Sequence, residues 1–427
     1  MIEDLACLLV RPGLESARLR VTARSDDDAE IRLAQSGRVG RAAAADRVAG
    51  WLGGFRLDEA TQTLATGTPM VLDIDATFLD DLGGIDAIDD AMRGIDAAGP
   101  FLRIMTGPGA DPAALIRTPT EPSSPSRLRA LTASEAITLG ATLILNDLGG
   151  RARPALVELL DDTSRVTGTD ARVNAYVSER DNTGFGWHWD DHDVVIIQLT
   201  GTKHWRIYEP EELAPLRGWT AETPRGREAL SILLRPGMGL AIPRGWSHRV
   251  SGFAGELSSH LTMSITPLRG RDLLTQAAAD PSRVESAAAV VPIDQAVMNP
   301  LPLDDAALEH VQGVGRARLV SPAIDDPIKL ASARSQGRDV MLRGSFTGGA
   351  VFADTADQNT DHVVLAAAGR LIHLPRRLVE PVAMLLTGVP FLIGELADAA
   401  PAASAEEIRE LVDALSAIDL VRLGEQA

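Results

Sequence analysis

The chain of 427 residues contains one cysteine, Cys7, so it has no intrachain disulfide and no cysteine-rich zinc module. Metal chemistry, if present, must rest on His, Asp and Glu. No run of about twenty apolar residues occurs, so no membrane-spanning helix is expected. Met1-Ile2-Glu3-Asp4 lacks the basic and apolar regions of a signal peptide, and a cytoplasmic location is expected. Basic residues are also short: 41 Lys and Arg face 59 Asp and Glu, a net charge of −18. That balance argues against general nucleic-acid affinity and permits attraction to a basic protein or peptide; it equally serves solubility.

What is present is enough chain for two or three domains. The first hundred residues, rich in Ala, Asp and Gly, carry helical periodicity around Ala43 to Leu57 but no recognisable chemistry. Pro119 to Ser126 reads as a loop. A short strand is expected at 141–145 and an amphipathic helix at about 153–165, with Ala155, Leu156, Leu159 and Leu160 on one side. Strand signals then follow at 173–177, 194–199, 204–208, 231–234, 239–242, 248–251 and 259–265. Short strands at this spacing, punctuated by Gly and Pro, predict an antiparallel sandwich or jelly roll. Five of the six tryptophans fall in this stretch, which marks it as the main folded unit. From about Leu268 the pattern turns helical and alanine-rich. The segment 332–427 has strand signals at 363–365 and 371–374, then a last helix with a Ser404/Glu407 capping box.

Within the strand-rich region, His188 and Asp190 stand two residues apart, so in a strand they share a face while Trp189 points away. His248, delivered by the turn Pro243-Arg244-Gly245, is the best candidate for a third ligand. Two histidines and one carboxylate suit Fe(II) with open positions, although zinc hydrolases use such ligands too. Asp191, His192, Asp193 and His260 compete; His192 ranks below the others because its spacing from His188 is helical in a strand context. Lys203 is either a turn residue in Thr200-Gly201-Thr202-Lys203 or a buried ammonium needing an anionic partner.

Taken in order, these motifs are Asn174-Ala175-Tyr176, Gly184-Phe185-Gly186-x-His188-x-Asp190-x-His192-Asp193-Val194, Gln198-Leu199-x-Gly201-x-Lys203-x-Trp205 and Pro243-Arg244-Gly245-Trp246-x-His248. From about Gly140 to Thr266 the chain resembles the JmjC-type cupin oxygenases of the ribosomal oxygenase group. The resemblance implies an α+β protein: residues 1–95 of open role, a double-stranded β-helix (cupin, jelly-roll) JmjC core at 96–267, a helical dimerisation domain at 268–331 and a winged-helix-like module at 332–427. It implies Fe(II) held by His188, Asp190 and His248, and 2-oxoglutarate as co-substrate. Lys203 would pair with its distal carboxylate, and Asn174, Thr262 and the neighbouring Tyr176 would surround it. The implied reaction is hydroxylation of a side chain in a protein, ribosomal or otherwise, or in a peptide, by a cytoplasmic homodimer. Methyl-lysine demethylation by the same chemistry and a non-catalytic cupin scaffold are the alternatives; formaldehyde release marks the first, and indifference to Fe(II) and 2-oxoglutarate the second. The bulky Trp187 and Trp189 depart from what relatives often carry and point to substrate choice.

Overall fold

Apolar runs that alternate, or are continuous where both faces are covered, fold between residues 171 and 265 as antiparallel strands. The computed structural model describes residues 28–57, 67–93, 95, 101–105, 116–117, 127–128, 137–138, 140–149, 153–167, 171–179, 186–210, 219–220, 226–253, 255–266, 341–344, 350–352, 362–367, 370–416 and 420–423. Residues 1–27, the proline-rich stretch 119–126 and the segment 268–331 lie outside the described residues. The chain divides into two compact units, one of residues 45–163 and 171–267, the other of 1–44, 164–170 and 268–427.

The elements leading into the strand-rich region are α1 (Asp28–Trp51), β1 (Met70–Asp73), α2 (Ala76–Asp81), α3 (Gly84–Met92), β2 (Leu102–Met105), the short pair β3 (Ile116–Arg117) and β4 (Arg127–Leu128), β5 (Thr142–Leu145) and α4 (Pro154–Thr167). Helix α1 starts well before the periodicity around Ala43 and stops short of Leu57. The stop has a backbone cause: Gly53 and Gly54 have φ of 62° and 86°, and a Cβ at Gly53 would meet the Asp73 carbonyl oxygen at 2.1 Å. Strand β1, which sequence periodicity does not reveal, joins the main sheet.

The strand-rich region supplies β6 (Ala171–Ser178), β7 (His188–Trp189), β8 (Asp193–Thr200), β9 (Lys203–Tyr208), β10 (Trp219–Thr220), β11 (Glu228–Leu234), β12 (Met238–Ile242), β13 (Ser247–Gly252) and β14 (Ser258–Ile265). One sheet runs in the order β1-β12-β8-β14-β6-β5-β2 and the other β10-β7-β13-β9-β11. The core lies between them: Val194, Ile196, Leu240 and Ile242 of the first sheet pack with Trp205, Ile207, Leu234 and Trp246 of the second unit of strands and its turn. Strand β9 alternates, burying Lys203, Trp205 and Ile207 and turning His204, Arg206 and Tyr208 outward. Strand β8 is buried on both faces over Asp193–Leu199, because α3 packs on it from outside. Together these are the antiparallel sheets and flanking helices of a cupin fold.

In the other unit, strands pair at Met341–Gly344 with Pro390–Leu392 and Val421–Leu423, and His362–Ala367 pairs with Ala350–Phe352 and Arg370–Pro375. Helices Val379–Leu386, Ile393–Asp398 and Ala405–Ser416 bury Val382, Leu385, Leu396, Ile408, Val412 and Leu415. The capping box at the last helix is formed: the Glu407 amide donates to Ser404 Oγ at 3.2 Å, and the Ser404 amide to Glu407 Oε2 at 2.8 Å. No helix among the described residues is long and apolar enough to cross a membrane.

Candidate active site

His188 and His248 stand opposite each other in the β7–β13 register, which sets their rings 4.2 Å apart, centroid to centroid. Asp190 follows two residues after His188, and its Oδ2 lies 3.6 Å from His248 Nε2. One ligand atom from each of the three residues falls within 4.8 Å of the others, the only such group among the described residues. Neither His192 nor His260 belongs to it. His192 lines the same cavity with its Nδ1 3.2 Å from Asp191 Oδ1.

The local backbone orients this trio. His188 Nδ1 lies 3.0 Å from the Gly186 carbonyl and His248 Nδ1 3.0 Å from the Trp246 carbonyl. A carbonyl can only accept, so each Nδ1 carries a proton, which leaves Nε2 as the nitrogen available to a metal. The Gly245 amide donates to the Asp190 carbonyl at 2.9 Å, tying the two ligand-bearing segments together; Gly245 holds φ 86°, which a side chain resists. Asp193 accepts the Arg244 amide at 2.9 Å and so pins the same turn. Burial, and next to it the neighbouring His188 imidazole, push His248 down to about 4, against the pull of Asp190. It is therefore a neutral donor at physiological pH. Two imidazoles with oriented tautomers and a carboxylate fit a divalent iron with room for further ligands.

The trio opens onto a cavity of about 290 Å³ between the sheets. At its other end lies Lys203, only 2% exposed, which excludes a surface-turn role: Gly201, with φ 61°, makes the turn, and Lys203 begins β9 facing inward. Its Nζ has one long contact, 3.5 Å to the Tyr176 carbonyl, and forms no ion pair among the described residues. Burial pushes its ammonium down to about 7. Asn174 and Thr262 are cross-strand partners in the β6–β14 register, as are Tyr176 and His260, and all four line the cavity. Asn174 Oδ1 accepts the Asp147 amide at 2.9 Å, which fixes the side-chain amide. Burial raises the Tyr176 hydroxyl above the usual phenol range, so it remains a neutral donor.

His188, Asp190, His248, Lys203, Asn174, Tyr176 and Thr262 thus line one cavity, with His192 and His260, whereas Trp187, Trp189, Asp191 and Asp193 are not part of its lining. Sequence reasoning weighed His260 only as a rival ligand, yet it faces the cavity beside Lys203; its spacing of two from Thr262 was the available signal. Arg103, carried in by β2, also lines the cavity, and no sequence signal marked it.

Two antiparallel sheets with two histidines and a carboxylate gathered between them are the arrangement of a metal-binding cupin. Residues 152–273 match the JmjC domain family model. Among named relatives, a bifunctional lysine-specific demethylase and histidyl-hydroxylase NO66 of Drosophila persimilis is 36% identical over 94 residues, 22% of this chain and 14% of that one. Human ribosomal oxygenase 1 is 36% identical over 102 residues, 23% of this chain and 16% of that one. The matches therefore span less than a fifth of these relatives' length. The Escherichia coli ribosomal oxygenase YcfD, solved with cobalt and 2-oxoglutarate, superposes with a TM-score of 0.54 at 15% identity, over 86% of this chain and 98% of that one, a likeness of fold.

Proposed function

We propose that this protein is an Fe(II)- and 2-oxoglutarate-dependent dioxygenase that hydroxylates a side chain of a protein or peptide. The observation that carries the reading is one cavity with His188, Asp190 and His248 at one end and the buried ammonium of Lys203 at the other. His188, Asp190 and His248 would hold the iron, and Lys203 would pair with the distal carboxylate of 2-oxoglutarate. Asn174, Thr262 and the Tyr176 hydroxyl would supply hydrogen bonds along it. Bound together, Fe(II) and 2-oxoglutarate supply oxidation by dioxygen, with succinate and carbon dioxide as by-products. The chain's own share is to present both Nε2 atoms, keep Tyr176 a neutral donor and wall the cavity with Val194, Ile196 and Trp205 against water.

The relatives named for ribosomal oxygenation and histidyl hydroxylation support a protein substrate, and the acidic balance of the chain supports a basic one. The same names couple hydroxylation with lysine demethylation, which is the second reading. A non-catalytic scaffold is disfavoured, because it has no use for a buried ammonium. The reading extends to a cytoplasmic homodimer, with catalytic residues 96–267, a helical dimerisation segment at 268–331, a winged-helix-like module at 332–427 and residues 1–95 of unclear role.

The test is aerobic incubation of wild type and Asp190→Ala with Fe(II), 2-oxoglutarate and basic ribosomal proteins. Wild type is expected to form succinate and add one oxygen to a partner, and the variant to do neither. Succinate formation independent of Asp190 contradicts the iron assignment, and formaldehyde release favours demethylation.

A further inference from the structure

His260 is 2% exposed, and its Nδ1 is buried without a hydrogen-bond partner among the described residues. Buried polar groups in folded proteins are almost always satisfied, so an unsatisfied imidazole in a cavity wall calls for an explanation. Packing accounts for the ring's plane and not for its polar atoms: the imidazole stacks on Tyr176 at 4.8 Å and 2°, and meets the Trp205 indole edge-on at 5.4 Å and 77°. The Trp205 indole nitrogen, on the same wall, is likewise without a partner. Burial and the nearby Lys203 charge both hold His260 in its neutral form. A neutral imidazole offers one N–H and no competing positive charge. Beside it, Lys203 has only its long contact to the Tyr176 carbonyl. A locked, neutral donor next to an ammonium, in a cavity whose far end holds the metal trio, is a pair of groups set for one carboxylate.

We propose that His260 is a binding residue for the distal carboxylate of the oxoacid co-substrate, donating a hydrogen bond beside Lys203 and so selecting the length of the dicarboxylate. The assignment rests on the co-substrate reading above.

The test uses manganese-loaded, full-length protein, so that binding is read without turnover. Calorimetry compares 2-oxoglutarate with oxalate, which can reach the metal but has no distal carboxylate. His260→Phe keeps a ring against Tyr176 and removes both nitrogens; it is expected to weaken 2-oxoglutarate about tenfold or more, the effect of losing a hydrogen bond to a charged group, and to leave oxalate within about twofold. His260→Gln, which restores a donor, is expected to recover part of the loss. If the phenylalanine variant does not fold, ring-nitrogen NMR of the wild type decides: the His260 signals shift with 2-oxoglutarate and stay put with oxalate. Unchanged 2-oxoglutarate affinity in the variant, equal losses for both ligands, or unmoved His260 signals overturn the proposal alone. Failure of the wild type to bind 2-oxoglutarate at all overturns the co-substrate reading and takes this inference with it.

Discussion

The two ends of the cavity are built on opposite principles. At the metal end each histidine has its Nδ1 tied to a backbone carbonyl and the carboxylate's own carbonyl is held by the Gly245 amide, so orientation is complete before any ligand arrives. At the deep end the polar groups are fixed by packing and left short of partners among the described residues: Lys203 has one 3.5 Å contact and His260 Nδ1 has none. The first is a frame tied to the backbone, and the second is a set of polar groups held by packing, which on the proposed reading would meet a dicarboxylate. The difference teaches that outer hydrogen bonds can preorganise metal donors, whereas buried polar groups short of partners are costly until a ligand satisfies them, which is the basis of the proposed oxoacid selectivity.

The largest effect separating the ends is expected from His188→Ala or Asp190→Ala. Metal affinity should fall by more than about a hundredfold, beyond the loss typical of an outer partner, and succinate formation should drop to background; equilibrium dialysis and product assay check both. Lys203→Ala should leave metal affinity intact and weaken 2-oxoglutarate by about 30-fold or more, since a buried carboxylate loses its counter-charge. Calorimetry on the metal-loaded protein reads the split, and equal damage to metal binding would break the comparison.

The same ammonium makes binding depend on pH. Its free-state value of about 7 lies below the ordinary 10.5, and a bound carboxylate raises it again. Below pH 7 the proton is present in free and bound protein alike, so affinity is full. Above pH 7 binding must take up a proton, so affinity should fall by up to about tenfold per pH unit, about 1.4 kcal/mol. His260 and Tyr176, which face Lys203, stay neutral over this range. In Lys203→Met the slope should vanish. The smallest effect is expected from Gly245→Ala, which forces a side chain into φ 86° and should cost about 1–2 kcal/mol of stability. Thermal melting checks it; metal affinity should weaken as well, because that turn holds Asp190.

How much of this was legible in the sequence depended on whether the signal was local. The two-residue spacing of His188 and Asp190 placed them on one face, and the glycine turn before His248 delivered the third ligand, because strand parity and turn chemistry act over a few residues. The strands read from apolar runs, β8 among them, are all present where expected. Lys203 stayed ambiguous until the register was known: only the pairing of Gly252 with Lys203 and of Leu234 with Lys203 shows it as the first residue of an inward-alternating strand. Strand β1 and Arg103 were not legible, since both reach the main sheet through long-range pairings, Met70 with Ala241 and Arg103 with Ile144. His260 shared a face with Thr262 on parity, but its place beside Lys203 required two sheets to be brought together.

The most direct test of the central claim is a calorimetric titration of 2-oxoglutarate into the protein with and without Mn(II). If one cavity joins the metal trio to Lys203, the account predicts strong binding with metal and at least tenfold weaker binding without it, as expected when two ligands share one site. Equal affinity in both samples, or binding in neither, would contradict it.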